Sequence, residues 1–368
     1  MKIAIIHDYL NQYGGAERVL ETFLEIWPDA DVHTLLYDRN QLPKRMHELG
    51  VKSSFLNRFP FRQFYYEYLL PFYPLAVERI DTRKYDLVIS SSSAWAKGAV
   101  TDIKTCHVSY CYNPMRFAWD SFFPLIKQKG FITKGLSLII SMLRVWDAVS
   151  SKRPDKYFTI SEFVQKRIRK YYNAQADIIY PPVDTDFFKP DTDKRQEEYF
   201  LLVSRLKSYK RIDIAIEAFN KLHKPLIIIG EGIEKSSLRS MAGSNIQFLS
   251  GIDDKTLLSY YQRCRAFVFP SEEDFGIVPL EAQSCGKPVI AYRGGGSLET
   301  IIEGETGEFY YPQNTDALAH TVKNFDHTQY NPETIRANAM NFSKDRFKKE
   351  FKAKIELFYN QYKKENIL

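Results

Sequence analysis

The chain has 368 residues, 44% hydrophobic and 26% charged, which is enough apolar material for two ordinary domains with separate cores. Lysine and arginine number 51 against 45 aspartate and glutamate, a formal charge of +6; so mild an excess suits anionic small molecules or an anionic membrane surface and does not indicate nucleic acid, which is not expected as a partner. No run of about 18 apolar residues occurs, which excludes spanning helices, and MKIAIIHDYL has too short an apolar core for an export signal.

Lys2 to Ile6 reads as a buried first strand, His7 to Gly15 as the loop after it, and Ala16 to Ile26 as a helix by its apolar spacing. Strand, glycine-containing loop and helix open a doubly wound α/β domain, in which ligands bind beyond the carboxyl ends of strands. Asp31–Tyr37, Asp86–Ser90, Thr105–Tyr110, Lys156–Ile160 and Ala176–Tyr180 are the next predicted strands, and Ser161 is the expected N-cap of a helix to Tyr172. Two inserts interrupt this rhythm. Phe55–Leu75 is dense in aromatics, and Phe122–Val149 is apolar with Lys127, Lys129, Lys134 and Arg144. They read either as core packing or as a surface that lies on a membrane or accepts a lipid-linked partner.

Tyr180-Pro181-Pro182-Val183 closes the first half, since tandem prolines stop helix and central strand alike. The second half repeats the pattern, with predicted strands Phe200–Ser204, Leu226–Ile229, Ile246–Leu249, Ala266–Phe269, Pro288–Tyr292 and one near Gly307–Tyr310. The expected division is residues 1–182, 183–341, and a basic amphipathic helix within 342–368 that packs back toward the first domain. Asp184-Thr185-Asp186 and Asp191-Thr192-Asp193 each spell D-x-D, but both follow the prolines in a polar linker and read as turns. Cys106, Cys111, Cys264 and Cys285 form no CxxC pair and sit in or beside apolar runs, the pattern of buried thiols in a reducing compartment. Cys106, His107 and Cys111 do not make a zinc set, because alternate residues of a strand face opposite ways.

Candidate chemistry gathers at strand ends. The stretch FVFPSEEDFGIVPLEAQSCGKPVIA runs from Phe267 to Ala291 as strand, loop and helix start, with Glu273 on the loop and Glu281 inside the helix. A helix start favours anions, and carboxylates beside it accept hydrogen bonds from sugar hydroxyls. The two glutamates are equally legible as acids complementing the helix dipole. Arg205 and Lys210 follow the second half's first strand, five residues apart, where two cations can clamp a diphosphate. Gly230-Glu231-Gly232 is a tight turn after the next strand, Gly14-Gly15 lies at the first helix start, and Gly294-Gly295-Gly296 follows a later strand.

In order, the segments GGAER, YPPVDTDFF, SRLKSYKR, IIIGEG, FVFPSEEDFGIVPLEAQSCGKPVIA and GGGSLETI resemble the retaining glycosyltransferases of family 4. The likeness spans nearly the whole chain and is most specific from Ser271 to Gly286. It implies the GT-B fold, α/β with two facing Rossmann-like domains and an inter-domain cleft for the donor. It further implies that Arg205 and Lys210 bind the donor diphosphate, that Glu281 holds the ribose hydroxyls, and that Glu273 addresses the donor sugar. Phe275, Gly276 and Ile277 would contact sugar or phosphate through backbone N–H groups, with Gly230 lining the donor site and Gly14 and Gly15 against the diphosphate or acceptor.

Thr105 to Asp120, TCHVSYCYNPMRFAWD, is similar to a subset that builds bacterial surface polysaccharides, many acting with mannose. That subset often carries C-H-T-P-x-R with the histidine beside the reacting sugar; here Tyr112 stands in its place and Asn113 precedes Pro114. A tyrosine cannot become a cation near neutral pH, so Tyr112 is expected to donate a hydrogen bond. Arg116 is the candidate for an acceptor phosphate or developing charge, and His107 is expected to be structural. Ser250 departs from a glycine usual after Phe-Leu, where the nucleobase would lie.

The resemblance therefore implies a metal-independent, retaining hexosyltransferase with no cofactor beyond its nucleotide diphosphate sugar co-substrate. GDP-mannose is the first expectation and UDP-sugars the next. The acceptor would be a glycan or lipid-linked glycan, met by a cytoplasmic enzyme at the inner-membrane surface. An epimerase on the same fold, and a non-catalytic membrane-surface or polymer-binding protein, are the alternatives; turnover of donor without acceptor would select the first and salt-sensitive polymer binding without turnover the second.

Overall fold

The computed structural model describes residues 1–59, 66–120, 133–191 and 196–366. Lys127, Lys129, the side chain of Lys134, Thr192 and Asp193 lie outside the described residues, as do residues 60–65 of the first insert. The chain divides into two compact units, one of Met1–Tyr180 with Phe347–Leu368 and one of Pro181–Arg346.

The first unit is built on strands β1 (Ile3–Leu10), β2 (Asp31–Tyr37), β3 (Lys52–Ser53), β4 (Leu87–Ser92), β5 (Cys106–Cys111), β6 (Lys156–Thr159) and β7 (Ala176–Ile178). They pair in the order β3-β2-β1-β4-β5-β6-β7, every pair parallel. Helices α1 (Gly15–Ile26), α2 (Thr133–Ser150) and α3 (Glu162–Tyr172) belong to it. Ser161 caps α3, its hydroxyl accepting from the Val164 N–H at 3.1 Å.

The second unit carries β8 (Phe200–Val203), β9 (Leu226–Ile229), β10 (Ile246–Leu249), β11 (Ala266–Phe269), β12 (Val289–Tyr292) and β13 (Gly307–Tyr310) in the parallel order β10-β9-β8-β11-β12-β13. Between them run α4 (Ile212–Leu222), α5 (Asp254–Arg263) and α6 (Ile277–Ser284), and α7 (Thr315–Asn324) follows β13. Successive strand residues face opposite ways, so Phe200, Leu202, Val268 and Ile290 enter one core while Leu201, Phe267, Val289 and Ala291 enter another. A parallel sheet covered on both faces needs such continuous apolar strands.

Both units thus have the doubly wound order, and in each the direction of winding reverses between the first strand and its other neighbour: β1 and β4 in one, β8 and β11 in the other. Ligands of such sheets bind beyond the carboxyl ends at that switch point. The last helix, α8 (Lys344–Asn366), begins in the second unit and continues in the first. There Phe351 stacks on Phe23 of α1 at 4.6 Å and meets Tyr110 edge-on at 5.5 Å.

One expectation needs correction. The first strand does not stop at Ile6 but continues through His7 and Asp8 to Leu10, all three of them largely buried. The polar pair is accommodated because each finds partners across the switch point. His7 Nδ1 lies 2.8 Å from Ser91 Oγ, and the Asp8 carboxylate accepts from the backbone N–H groups of Ser93, Ala94, Trp95 and Ala96 at 2.6–3.0 Å. Four donors on one buried carboxylate make it an anchor for the chain leaving β4.

The first unit also holds a fully buried ion pair. Lys97 Nζ reaches Asp147 Oδ1 of α2 and the Ala94 carbonyl, each at 2.5 Å, and the two side chains are 1% and 0% exposed. Trp119 Nε1 and the Tyr172 hydroxyl donate to the same carboxylate at 2.8 and 3.2 Å.

Candidate functional site

In the second unit the switch-point loops bring two candidates into direct contact. Lys210, in a short 3-10 turn after β8, pairs its ammonium with Glu273 Oε1 on the loop after β11. Their side chains are 12% and 18% exposed, so the pair is partly shielded yet reachable. Ser271 Oγ donates to the same carboxylate oxygen at 3.2 Å, and the Gly296 N–H donates to the Glu273 carbonyl at 2.9 Å. The triple glycine is therefore a cradle and not a loose turn: a Cβ on Gly296 would stand 2.3 Å from Phe275 Cα. Arg205 is exposed on the loop that leads to Lys210.

Beyond Glu273 the chain passes through Phe275, whose ring is buried against Phe342 at 5.8 Å, to Gly276 at φ 92°, which turns it into α6. Ile277 opens that helix, where backbone N–H groups have no intrahelical acceptor. Glu281 sits one turn further in, 4% exposed, and accepts from the Tyr261 hydroxyl of α5 at 2.9 Å. Tyr261 thus fixes the Glu281 side chain, a role the sequence did not reveal because 20 residues separate them.

The Gly230-Glu231-Gly232 turn closes on protein backbone. A Cβ on Gly230 would lie 1.8 Å from the Ser204 carbonyl oxygen, and Leu206 N donates to the Glu231 carbonyl at 2.8 Å. The turn therefore positions the loop that carries Arg205 and Lys210. Gly230→Ala is expected to destabilise the second unit by about 3 kcal/mol, since backbone must move to admit the methyl group, as read by chemical denaturation of the purified variant. Ser250, at the glycine position of the resembling pattern, accepts from Lys235 Nζ at 2.9 Å, and Lys235 pairs with Glu231 at 2.8 Å. That hydrogen bond from Lys235 holds the Glu231 carboxyl below its ordinary range.

In the first unit, Gly14 and Gly15 lie at the start of α1. The Gly14 N–H donates to Glu17 Oε2 at 2.7 Å, closing one half of a capping box. Glu17 is buried and stands 3.6 Å from His7 Nε2. Tyr112, after β5, joins the same group, with its hydroxyl 2.9 Å from Ser91 Oγ and 3.3 Å from the Ala16 carbonyl. Burial pushes the Tyr112 phenol well above its usual range, so it stays protonated. Asn113 is buried beside it and Arg116 half-buried on the following turn. Glu17, His7 and Ser91 were not identified as site residues from sequence; the Gly14-to-Glu17 spacing was the available signal.

His107 is buried in β5 with Nε2 3.0 Å from Ser90 Oγ, and burial lowers its pKa to about 3. The four cysteines are free and buried, and among the described residues no three His, Cys, Asp or Glu side chains are grouped to hold a metal. Asp184 accepts from the Phe187 N–H at 3.0 Å, a turn contact. No helix among the described residues is long and apolar enough to cross a membrane.

Residues 13–187 match the family Glycosyltransferase Family 4, and residues 184–342 match Glycosyl transferases group 1. An uncharacterized glycosyltransferase of Methanocaldococcus jannaschii is 23% identical over 94% of this chain and 93% of its own. A GDP-mannose-dependent alpha-(1-6)-phosphatidylinositol monomannoside mannosyltransferase of Mycolicibacterium smegmatis is 31% identical over 44% of this chain and half of its own. Among solved structures, Anabaena HepE in complex with UDP superposes with a TM-score of 0.72 at 16% identity, covering 97% of this chain and 100% of that one.

Proposed function

The chain is a glycosyltransferase of the GT-B fold, built of a Family 4 domain and a group 1 domain, and from that premise we propose that it transfers a hexose from a nucleotide diphosphate sugar with retention at the anomeric carbon and without a bound metal. The observation that carries the reading is the Lys210–Glu273 pair at the switch point of the second unit, beside the start of α6. Cleavage of the sugar–phosphate bond builds positive charge on the ring and negative charge on the departing diphosphate. Arg205, Lys210 and the N–H groups of Phe275, Gly276 and Ile277 receive the second charge as it grows. Glu273 addresses the sugar hydroxyls, Glu281 the ribose, and the Gly230 turn sets the loop that carries Arg205 and Lys210. The leaving phosphate accepts the proton of the acceptor hydroxyl on the same face.

Mannose from GDP-mannose is the donor we favour, supported by the M. smegmatis relative's name; the UDP held by HepE supports UDP-sugars as the second choice. The acceptor is a glycan or lipid-linked glycan of surface polysaccharide synthesis, met by a peripheral enzyme on the cytoplasmic face of the inner membrane. On the acceptor side Tyr112 donates a hydrogen bond, while Arg116 and Asn113 hold anionic or polar groups near Gly14 and Gly15.

A thermal-shift panel of GDP- and UDP-sugars tests the donor, because a ligand that binds only the folded state raises its melting temperature. GDP-mannose is expected to give the largest shift, and no shift with any sugar nucleotide would overturn the reading. Glu281→Ala is expected to weaken donor binding roughly tenfold to a hundredfold, the worth of hydrogen bonds to a carboxylate. Calorimetric titration measures it, with Glu281→Gln showing whether the loss of Tyr261's acceptor contributes.

A further inference from the structure

Helix α2 is apolar on two faces. Ile140, Leu143 and the Asp147 carboxylate point into the first unit, as a surface helix requires. The outward face should then be polar, yet it presents Leu138, Met142, Val145 and Val149 at 64%, 64%, 65% and 59% exposure. Their spacing of four, three and four residues makes one continuous stripe along three turns. An apolar stripe of this kind on a described surface marks an interaction site.

Its surroundings indicate what it meets. Residues 133–175 contain nine lysines and arginines against three acids, Asp147, Asp155 and Glu162. Of those three, Asp147 is buried against Lys97. Among the described side chains the exposed cations are Lys152, just past the end of α2, and Lys166, Arg169 and Lys170 on α3. The two helices are joined at the surface by a stack in which Trp119 lies parallel to Tyr171 of α3 at 4.7 Å with Arg144 of α2 5.5 Å over its ring. Apolar side chains, a tryptophan–tyrosine pair and a run of cations on adjoining helices are the combination that an interfacial surface needs, with the rings at headgroup level and the cations against lipid phosphates.

We propose that the outward face of α2, with the cations of α3, is the surface by which this protein docks onto an anionic lipid bilayer. The inference rests on the membrane-facing acceptor reading above and names the face that makes the contact. A second copy of the chain fits less well. Four side chains already partly shielded bury far less than the roughly 800 Å² per partner of a stable interface. A two-fold contact would also set the same cations against their own copies.

The test is co-sedimentation of the full chain, without any donor, with vesicles of equal parts phosphatidylcholine and phosphatidylglycerol at low salt. Binding is expected, falling about tenfold or more with pure phosphatidylcholine and with added salt. Leu138→Asp and Val145→Asp should each lower the partition coefficient at least about tenfold, and Lys166→Glu with Lys170→Glu by a similar factor. Val145→Ser, milder and equally exposed, should give an intermediate loss, and circular dichroism of each variant checks the fold. No vesicle binding by the unaltered chain, or binding indifferent to the stripe substitutions, overturns the proposal. So does a stripe substitution that turns a dimer into a monomer while vesicle binding persists. The donor panel reads nucleotide-sugar binding, and the vesicle assay, run without donor, reads lipid binding, so a failed transferase reading and a failed docking face give different results.

Discussion

Lys210→Ala is expected to lower kcat by about a hundred- to a thousandfold, the usual cost of removing one fixed donor from the developing negative charge, while donor affinity falls much less. The difference arises because the diphosphate is already charged when bound but gains charge as the sugar leaves, so the lysine contributes most in the transition state. The structure adds a condition: the Lys210 ammonium is paired with the Glu273 carboxylate. An incoming diphosphate competes with that carboxylate for the ammonium. Glu273→Gln should therefore tighten binding of the nucleoside diphosphate product by several-fold, since the competitor has lost its charge, even as kcat falls through the lost sugar contact. Steady-state rates on both variants and the double variant, with product titrations, separate the roles. If Lys210 served only to hold Glu273, both single variants would lose the same amount and the double variant no more.

The second large effect is on stability. Asp147→Ala is expected to destabilise the first unit by about 3–5 kcal/mol, because it leaves the fully buried Lys97 ammonium without its counter-charge. It also removes the acceptor of Trp119 Nε1 and the Tyr172 hydroxyl. Replacing both charges, with Lys97→Met and Asp147→Leu, should restore most of the loss, since the cost lies in the orphaned charge more than in the missing attraction. Denaturant titrations followed by tryptophan fluorescence report on this unit, as Trp119 is itself a ligand of the carboxylate. Equal destabilisation by the single and double changes would refute the account.

Much of the fold was legible because parallel strands buried on both faces must be runs of Ile, Val, Leu and Phe. Leu226–Ile229, Ile246–Leu249 and Ala266–Phe269 stand where the sequence indicates. The first strand ran past its expected end because His7 and Asp8 look like loop residues until their partners at Ser91 and 93–96 are known. Register across a sheet supplies those partners, and no local pattern encodes it. The same limit applies to Lys210 and Glu273. Each was marked as a candidate by its place after a strand, but they stand 63 positions apart in the chain and their pairing follows from β8 and β11 being neighbours. The second insert shows the converse: the 138, 142, 145, 149 spacing was visible, but core and surface stripes share one period.

Helix α8 carries a consequence for synthesis. Pro181–Arg346 is one continuous stretch, whereas the first unit needs Phe347–Leu368 to be whole. Phe347 and Phe351 are fully buried there beside Phe23 and Tyr110. A ribosome delivers that stretch after Pro181–Arg346, so the first unit is completed only once the second has been made, and until then the ring faces of Phe23 and Tyr110 lack their cover. The nascent protein thus carries an open apolar seam throughout the making of its second half, and that interval is when chaperone protection against aggregation matters most for this chain.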